Sequence, residues 1–338
     1  MRKLIPSIIR IMVGVVIGLA LIVLLIGLMV RQPNIGRHPF PEGPRADPAT
    51  LRTHVEYLST QAFPRNPTAP ASLNLAADYI KAALSRTGAV VTEQPYEAFH
   101  KPFRNIIATY GPATGRKVVV GAHYDVYGEF PGADDNASGV AGLLELGRLL
   151  GARKLQSPIE LVAFSTEEPP YFGGPEMGSA THAKSLRKAG APVEAMISLE
   201  MIGYFIPRQP YTNFLLYLIY PRRGDFISIA GRWRDRSLAR KVKMSFRGAT
   251  TVPAVSYSGP VEIGADLSDQ RNYWAAGYPA VMVTDTAFMR NFNYHTPHDL
   301  PATLDYVRMA GVVDGVLSAV IHLTSGSAGG DDLAKPRS

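Results

Sequence analysis

The longest apolar stretch of the chain lies near its N-terminus. Residues Ile11–Val30 are all apolar or glycine. A helix of that length spans about 30 Å, the thickness of a bilayer core. A cleaved signal peptide usually has a shorter apolar region followed by small residues at a cleavage site, and 29–33 offers no such site. The pattern predicts an uncleaved, single-pass transmembrane anchor at residues 11–30 that contacts membrane lipid.

Basic residues flank this predicted anchor unevenly. They are Arg2, Lys3 and Arg10 before it, and Arg31 and Arg37 after it. The small excess favours a short cytoplasmic N-terminus at residues 1–10, with the rest of the chain periplasmic or extracellular. Gly14 and Gly18 have the G-x-x-x-G spacing that allows two such helices to form a homodimer, although glycine is common in membrane helices.

After the anchor, short apolar runs alternate with amphipathic segments. The predicted strands are 90–96, 105–110, 117–122, 159–164, 195–199, 252–257 and 280–284, and the predicted helices are 73–84, 139–150, 176–188, 237–244, 269–276 and 301–323. This alternation predicts an α/β three-layer sandwich with a central, mostly parallel (mixed) sheet flanked by helices. We expect one domain at residues 51–325, joined to the anchor by an extended linker at 31–50 and followed by a flexible tail at 326–338.

Composition excludes several classes of site and partner. The chain has no cysteine, which excludes disulfide scaffolds, thiolate metal sites and cysteine nucleophiles. The chain has a net charge of +7. Segment 222–247 alone has the same excess, because it holds nine Lys or Arg and two Asp. Because Gly, Trp and Ser interrupt these charges, we predict a solvated or membrane-facing basic surface and no nucleic-acid partner.

Imidazoles and carboxylates follow the ends of the predicted strands. They are His123 and Asp125 after the strand at 117–122, Asp134 and Asp135 before the helix at 139–150, Glu167 and Glu168 after the strand at 159–164, Glu200 after the strand at 195–199, and His295 after the strand at 280–284. In open α/β sheets, ligands bind beyond the carboxyl ends of the strands. Carboxylates beside buried strands are costly unless paired or bound to metal. Two imidazoles and several carboxylates without thiolate therefore predict zinc or a similar divalent ion.

Taken in chain order, these motifs resemble those of the di-zinc exopeptidase family of the bacterial leucyl aminopeptidases. They are His123-x-Asp125, the loop GADDNASG at 132–139, Glu167-Glu168, and Tyr294-His295-Thr296-Pro297-x-Asp299. Relatives of that family include plasma glutamate carboxypeptidase and the glutaminyl cyclases. The resemblance covers roughly residues 50–325 and implies the zinc-exopeptidase type of sandwich.

The resemblance also implies a role for each matching residue. One Zn²⁺ would be bound by His123, Asp135 and Glu200, and a second Zn²⁺ by Asp135, Glu168 and His295. Asp135 would thus bridge the two ions, and a cis peptide is implied between it and Asn136. Glu167 would be the general base, and Asp125 would accept the second ring N–H of His123.

Three positions depart from the family pattern. Glu200 stands where many members have Asp, Gln270 stands where members often have His, and Ala265 stands where some members have a Tyr that stabilises the oxyanion. Glutamate can still ligate a metal, but the sequence does not identify the group that stabilises the oxyanion.

The resemblance, together with the predicted anchor at residues 11–30, implies a membrane-anchored, zinc-dependent exopeptidase. We expect an aminopeptidase that hydrolyses peptides with a free N-terminus through a metal-activated water. Three alternatives stay open: a glutaminyl-cyclase-like acyltransferase with one zinc, a carboxypeptidase of the same family, and a metal-free, receptor-like ectodomain. The full ligand set argues against the first and the last of these.

Overall fold

An eight-stranded mixed sheet forms the centre of the molecule. The computed structural model describes residues 4–33, 35–211, 214–261 and 264–325. The strands are β1 (Val90–Ala98), β2 (Lys101–Tyr110), β3 (Lys117–His123), β4 (Ile159–Phe164), β5 (Val193–Glu200), β6 (Ile227–Arg232), β7 (Ala254–Gly259) and β8 (Ala280–Thr284). Their order across the sheet is β1-β2-β4-β3-β5-β8-β6-β7. Strands β4, β3, β5 and β8 are mutually parallel, whereas β2 and β6 run antiparallel to this central group.

Helices cover both faces of this sheet. Those of the described chain are α1 (Leu4–Arg31), α2 (Pro48–Glu56), α3 (Pro70–Ser85), α4 (Gly139–Gly151), α5 (Gly178–Lys188), α6 (Phe214–Ile219), α7 (Arg236–Ala249), α8 (Gln270–Ala275) and α9 (Tyr306–Ser325). Helices α2, α3, α4, α7 and α9 contribute to the larger core on one face, and α5 and α8 to the smaller core on the other. The predicted three-layer α/β sandwich is confirmed.

Strand β3 shows why the sheet is buried on both faces. Val118 and Val120 belong to the larger core, whereas Val119 between them belongs to the smaller core. Successive side chains of a strand point to opposite faces, so a continuous apolar run supplies both cores. The central strands are therefore fixed rigidly, and so are the residues at their carboxyl ends.

Three elements were not predicted from the sequence: α2, α6 and β6. Helix α2 is short and largely polar, and it begins where the Asp47 carboxylate accepts the N–H groups of Ala49 and Thr50. The predicted helix at 301–323 begins only at Tyr306, because the Asp305 side chain accepts the N–H of Arg308 over 2.9 Å and caps α9 there. A separate 3₁₀ turn precedes it.

The predicted N-terminal span is helical. Within α1, the segment Ile9–Arg31 includes an 18-residue stretch with a mean hydropathy of 3.1, and it is long and apolar enough to cross a membrane. Helix α9 meets the same criteria of length and composition, but most of it is buried in the protein core. Residues 1–3 and the predicted flexible tail at 326–338 lie outside the described residues.

The predicted linker is extended but bound to the domain. The His38 ring stacks on the His322 ring of α9, with 4.4 Å between their centroids. Arg45 forms an ion pair of 2.9 Å with Asp314, whose carboxylate also accepts the N–H of Ala46. Residues 35–47 therefore pack against α7 and α9 rather than separating the domain from α1.

Candidate functional site

The predicted site residues meet at one edge of the sheet. His123 and Glu200 are the last residues of β3 and β5, and Glu167 and Glu168 follow the end of β4. These strands are parallel, so their carboxyl ends lie side by side. The loops that carry Asp135 and His295 reach the same edge.

One predicted ligand triplet surrounds the His123 ring. Its Nε2 atom lies 3.6 Å from Asp135 Oδ1 and 3.4 Å from Glu200 Oε2. All three side chains are buried, and their nearest donor atoms lie within 4.8 Å of one another. The structure thus brings together the residues expected to hold one ion.

The second triplet lies on the other side of Asp135. His295 Nε2 is 3.1 Å from Asp135 Oδ2 and 3.3 Å from Glu168 Oε2. Because Oδ1 of Asp135 faces His123 and Oδ2 faces His295, this one carboxylate lies between the two histidines. That is the placement a bridging ligand requires.

Glu167 stands beside both triplets. Its Oε2 atom is 3.9 Å from His123 Nε2, farther than the corresponding atom of Glu200. Its side chain is buried and lines the cavity described below. It could also form a donor group with His123 and Glu168, so the geometry allows Glu167 either a base role or a ligand role.

Asp125 contacts both the backbone of the glutamate pair and the ring of His123. Its carboxylate accepts the N–H groups of Glu167 and Glu168, each over 3.1 Å. His123 Nδ1 lies 3.5 Å from Asp125 Oδ1 but 3.2 Å from the Asp125 carbonyl oxygen. The predicted contact with the ring is therefore shared with a backbone carbonyl, while the carboxylate fixes the position of the glutamate pair.

The loop that carries Asp135 is held on both sides. The Asp299 carboxylate accepts the N–H groups of Asp134 and Asp135 over 2.9 and 3.0 Å. Asn136 donates through Nδ2 to the Leu199 carbonyl over 2.9 Å. The peptide between Asp135 and Asn136 is cis, as the resemblance implied.

The two site histidines favour the protonated form in the absence of a metal. Burial opposes the charge on His123, but the carboxylates of Glu200 and Glu167 outweigh burial and raise its pKa well above the usual value. Burial also opposes the charge on His295, but the carboxylates of Asp135 and Glu168 next to its ring raise its pKa to about 9. Both rings thus respond to an excess of negative charge around them.

The pKa values of the carboxylates reflect the same excess of negative charge. Burial raises the pKa of Glu167 well above its usual range, with His123 opposing the shift. Burial and the charge of Asp135 raise the pKa of Glu168 to about 8. Buried carboxylates behave in this way when they lack a compensating cation.

A divalent ion fits this set of donors. Asp135 Oδ2 is buried and has no hydrogen-bond partner among the described residues. The donors are imidazole nitrogens and carboxylate oxygens without thiolate, a combination that suits zinc. A cation between the triplets would neutralise the buried acids, and Asp135 Oδ2 could coordinate it.

Two neighbours of the site were assigned no role from the sequence. Ser268, fully buried, donates a hydrogen bond of 2.6 Å to Glu200 Oε2. The Tyr127 ring stacks on the His295 ring at 4.2 Å between centroids. The sequence indicates neither contact, because each joins segments far apart in the chain.

The positions that depart from the family pattern are accommodated. The longer Glu200 side chain ends 3.4 Å from His123 Nε2. Gln270 is buried and donates through Nε2 to the Ala265 carbonyl over 2.7 Å. It therefore stabilises the loop before α8 rather than facing the acid cluster.

A cavity of about 410 Å³ opens from the acid cluster. Its polar end is formed by Asp135, Glu167, Glu168, Glu200 and His295. Its other end is apolar and includes Leu216, Tyr220, Phe226, Val255 and Met282. Among the described residues that line it, none is Lys or Arg.

Comparison with known proteins assigns the chain to a family. The sequence model of peptidase family M28 matches residues 105–320. The chain belongs to peptidase family M28. The resemblance to the leucyl aminopeptidases is thereby confirmed, and the family places the chain among the peptidases, which are hydrolases.

Relatives agree with this membership of M28. The chain is 44% identical to the uncharacterized protein YfbL of Escherichia coli K12, over 83% of this chain and 90% of that protein. It is 26% identical to leucine aminopeptidase 1 of Grosmannia clavigera, over 83% of this chain and 69% of that protein.

Solved structures share the M28 fold. LapA of Legionella pneumophila matches with a TM-score of 0.68 and 20% identity, over 83% of this chain and 74% of that chain. The glutaminyl cyclase of Porphyromonas gingivalis matches with a TM-score of 0.65 and 24% identity, over 81% of this chain and 98% of that chain. A Zn-dependent exopeptidase from Parabacteroides distasonis matches with a TM-score of 0.62 and 19% identity, over 82% and 99%.

Proposed function

We propose that this chain is a membrane-anchored, two-zinc aminopeptidase that removes N-terminal residues with large apolar side chains. The observation that carries the proposal is the position of Asp135. Its two carboxylate oxygens face two separate histidine–glutamate pairs, and the shared cluster forms the polar end of a cavity. The name of the leucine aminopeptidase relative supports the same activity.

The two triplets would hold one ion each. His123, Asp135 and Glu200 form the first, and Asp135, Glu168 and His295 the second. Zinc bound in such a site lowers the pKa of a coordinated water and polarises the scissile carbonyl. Asp125 supports both triplets, because it contacts the His123 ring and holds the backbone of Glu168.

Glu167 would move the proton in this reaction. It stands next to the ligands, is buried, and borders the cavity in which a peptide would bind. As a carboxylate it accepts a proton from the attacking water, and it then donates that proton to the nitrogen of the departing peptide. General-base catalysis of this kind contributes about 10²–10⁴-fold to the rate.

The described lining of the cavity offers no lysine or arginine to the C-terminal carboxylate of a substrate. Acidic side chains form its polar end, and no Lys or Arg is among the described residues that line it. A C-terminal carboxylate would therefore find no Lys or Arg to pair with among these residues. This argues against the carboxypeptidase alternative.

The apolar end of the cavity would receive the N-terminal side chain. Phe226 and Val255 are buried there beside Tyr220, and they form a cluster of their own. Burying a large apolar side chain contributes about 1.5–3 kcal/mol. We therefore expect leucine and phenylalanine to be preferred over alanine at the N-terminus of the substrate.

Helix α1 would hold the enzyme in the membrane. We place residues 1–10 in the cytoplasm and the catalytic domain, residues 51–325, outside it, following the charge bias around the span. Protease added outside intact cells that lack an outer barrier should then degrade the domain. A soluble mature chain that begins near residue 31 would contradict this topology.

One assay separates the proposed activity from its alternatives. Full-length enzyme in detergent is given leucyl, phenylalanyl, alanyl and N-acetylleucyl peptides, together with a peptide that begins with glutamine. We expect release of free leucine and phenylalanine, little action on the acetylated peptide, and loss of activity with chelator. A pyroglutamyl product from the glutamine peptide would identify a cyclase, and preference for blocked peptides a carboxypeptidase.

A further inference from the structure

Helix α6 exposes large apolar side chains. Phe214 is 74% exposed and Leu218, one turn later on the same face, is 58% exposed. The helix lies in the long connection between β5 and β6, which we call the excursion. An isolated antiparallel β-bridge between Ile206 and Gly224 pairs its two ends. Large exposed apolar side chains that lie close together indicate a contact surface.

The same helix packs against the end of α1. A Cβ atom placed on Gly27 would lie 3.4 Å from Ile219 Cδ1, and Arg31 donates a 2.9 Å hydrogen bond to the Ile219 carbonyl. At 1.5 Å per residue, Gly27 lies about 6 Å before Arg31 along the helix axis. Helix α6 therefore touches α1 within the last turn of its apolar segment.

Hydrogen bonds fix the end of α1 to the domain. The Arg31 carbonyl accepts the Lys243 ammonium over 2.8 Å and the Ser256 hydroxyl over 2.7 Å. Lys243 is buried and also donates to Ser256 over 2.8 Å. The domain is thus held to α1 at β7 and α7, and α6 is kept at the level where the apolar segment ends.

Cations and an aromatic ring border the apolar face of α6. Arg208, Arg222 and Arg223 are exposed around the excursion, and the Arg222 guanidinium lies 4.8 Å from the centroid of the Tyr217 ring. Arginine and tyrosine beside exposed apolar residues are typical of segments that lie at the headgroup level of a bilayer. Their charge complements anionic lipid phosphates.

We propose that α6 lies in the interface of the bilayer that α1 spans, with Phe214 and Leu218 in contact with lipid. This inference rests on the membrane anchoring given under Proposed function. The opposite face of α6 carries Leu216, which lines the substrate cavity. One short helix thus separates the lipid from the apolar end of the active site.

Site-directed spin labelling of the full chain tests this placement. The chain contains no cysteine, so Phe214→Cys or Leu218→Cys gives a single labelling site without further changes. A label at Leu28→Cys shows whether α1 lies in lipid. Val90→Cys is the matched control, since Val90 is 69% exposed and lies on the strand at the opposite edge of the sheet from β7.

Each variant is reconstituted in vesicles of phosphatidylethanolamine and phosphatidylglycerol, and collision with oxygen is compared with collision with a water-soluble nickel chelate. We expect labels at 214 and 218 to gain oxygen collisions and lose nickel collisions, like the label at 28 and unlike the label at 90. If the label at 28 behaves as in lipid while the labels at 214 and 218 behave like the label at 90, the proposal for α6 is wrong but membrane anchoring by α1 is supported. Labels at 214 and 218 shielded from both reagents would indicate a protein contact and overturn the proposal. A label at 28 open to nickel would overturn both.

Discussion

The two ends of the substrate cavity are built from different parts of the fold. The polar end sits on the parallel centre of the sheet, at the ends of β3, β4 and β5. The apolar end is formed by β6, β7 and the excursion that carries α6, next to the end of α1. In the proposed enzyme, the chemistry would depend on the buried centre of the sandwich, whereas selectivity would depend on a peripheral region beside the proposed membrane surface.

The largest effect is expected at the polar end. Glu167→Gln keeps the size of the side chain but cannot accept a proton, so kcat should fall by about 10²–10⁴-fold while bound metal is retained. Activity and metal content are measured on the same sample. Glu97→Gln, at an exposed position of β1, is the matched control. Near-normal turnover of Glu167→Gln would show that another group is the base.

The polar end could be predicted from the sequence because its residues follow recognisable strands. A buried strand is a short apolar run, and what comes directly after it lies at the edge of the sheet, as His123 and Glu200 do. Packing then brings these residues to one edge, whereas their division into two ligand triplets was implied by the resemblance to the zinc exopeptidases.

The apolar end could not be predicted in this way. Tyr220, Phe226 and Val255 form one cluster, but they come from three separate segments. Strand β6 is a short run interrupted by Ser228 and lies in the basic segment 222–247, and α6 lies in a long connection without a motif. The contact of Ser268 with Glu200 joins positions far apart, which only the folded sheet defines.

The next effect is expected at the apolar end and should change selectivity, not chemistry. Ser228 lines the cavity from β6, so Ser228→Leu should narrow the space for a large N-terminal side chain. We expect kcat/KM for phenylalanyl peptides to fall by about 10–100-fold relative to alanyl peptides. Ser237→Leu, the same change at an exposed position of α7, should leave this ratio unchanged. An equal loss for both peptides would mean that the cavity does not receive the side chain.

A smaller effect is expected at a hydrogen bond that supports Glu200 at the polar end. Ser268→Ala removes the donor to Glu200 Oε2, and loss of such a partner typically costs about 10–100-fold in metal affinity or activity. We expect a loss near the lower limit, which excess zinc should partly restore. Ser258→Ala is the control, because Ser258 is equally buried and its hydroxyl has no hydrogen-bond partner among the described residues. A loss that excess zinc does not change would point to a role other than ligand support.

The smallest effect concerns the stability of the metal-free protein. Burial raises the pKa of Glu168 to about 8 and that of Asp269 to about 7, so the folded state retains protons that the unfolded chain releases near about pH 4. Because the folded state binds more protons, stability falls as pH rises from about 4 to about 8. Thermal unfolding of chelator-treated enzyme should show Tm decreasing by several degrees across this window.

Zinc provides the control for that measurement. It should raise Tm more at about pH 8 than at about pH 5, because it replaces protons on its ligands. The acids of the polar end cause this dependence, so the apolar-end variant Ser228→Leu should show the same pH profile. A Tm that rises with pH in the metal-free protein would contradict the charge excess described for the site.

A zinc titration of metal-free, full-length enzyme tests the central claim most directly. Hydrolysis of a leucyl peptide is followed as zinc is added, with bound metal measured at each step, for the wild type and for Asp135→Ala. The account predicts that activity reaches its maximum at about two bound ions per chain, and that Asp135→Ala binds neither ion tightly and is inactive. Maximal activity with a single bound ion, or an Asp135→Ala variant that binds zinc and cleaves like the wild type, would contradict a two-metal aminopeptidase bridged by Asp135.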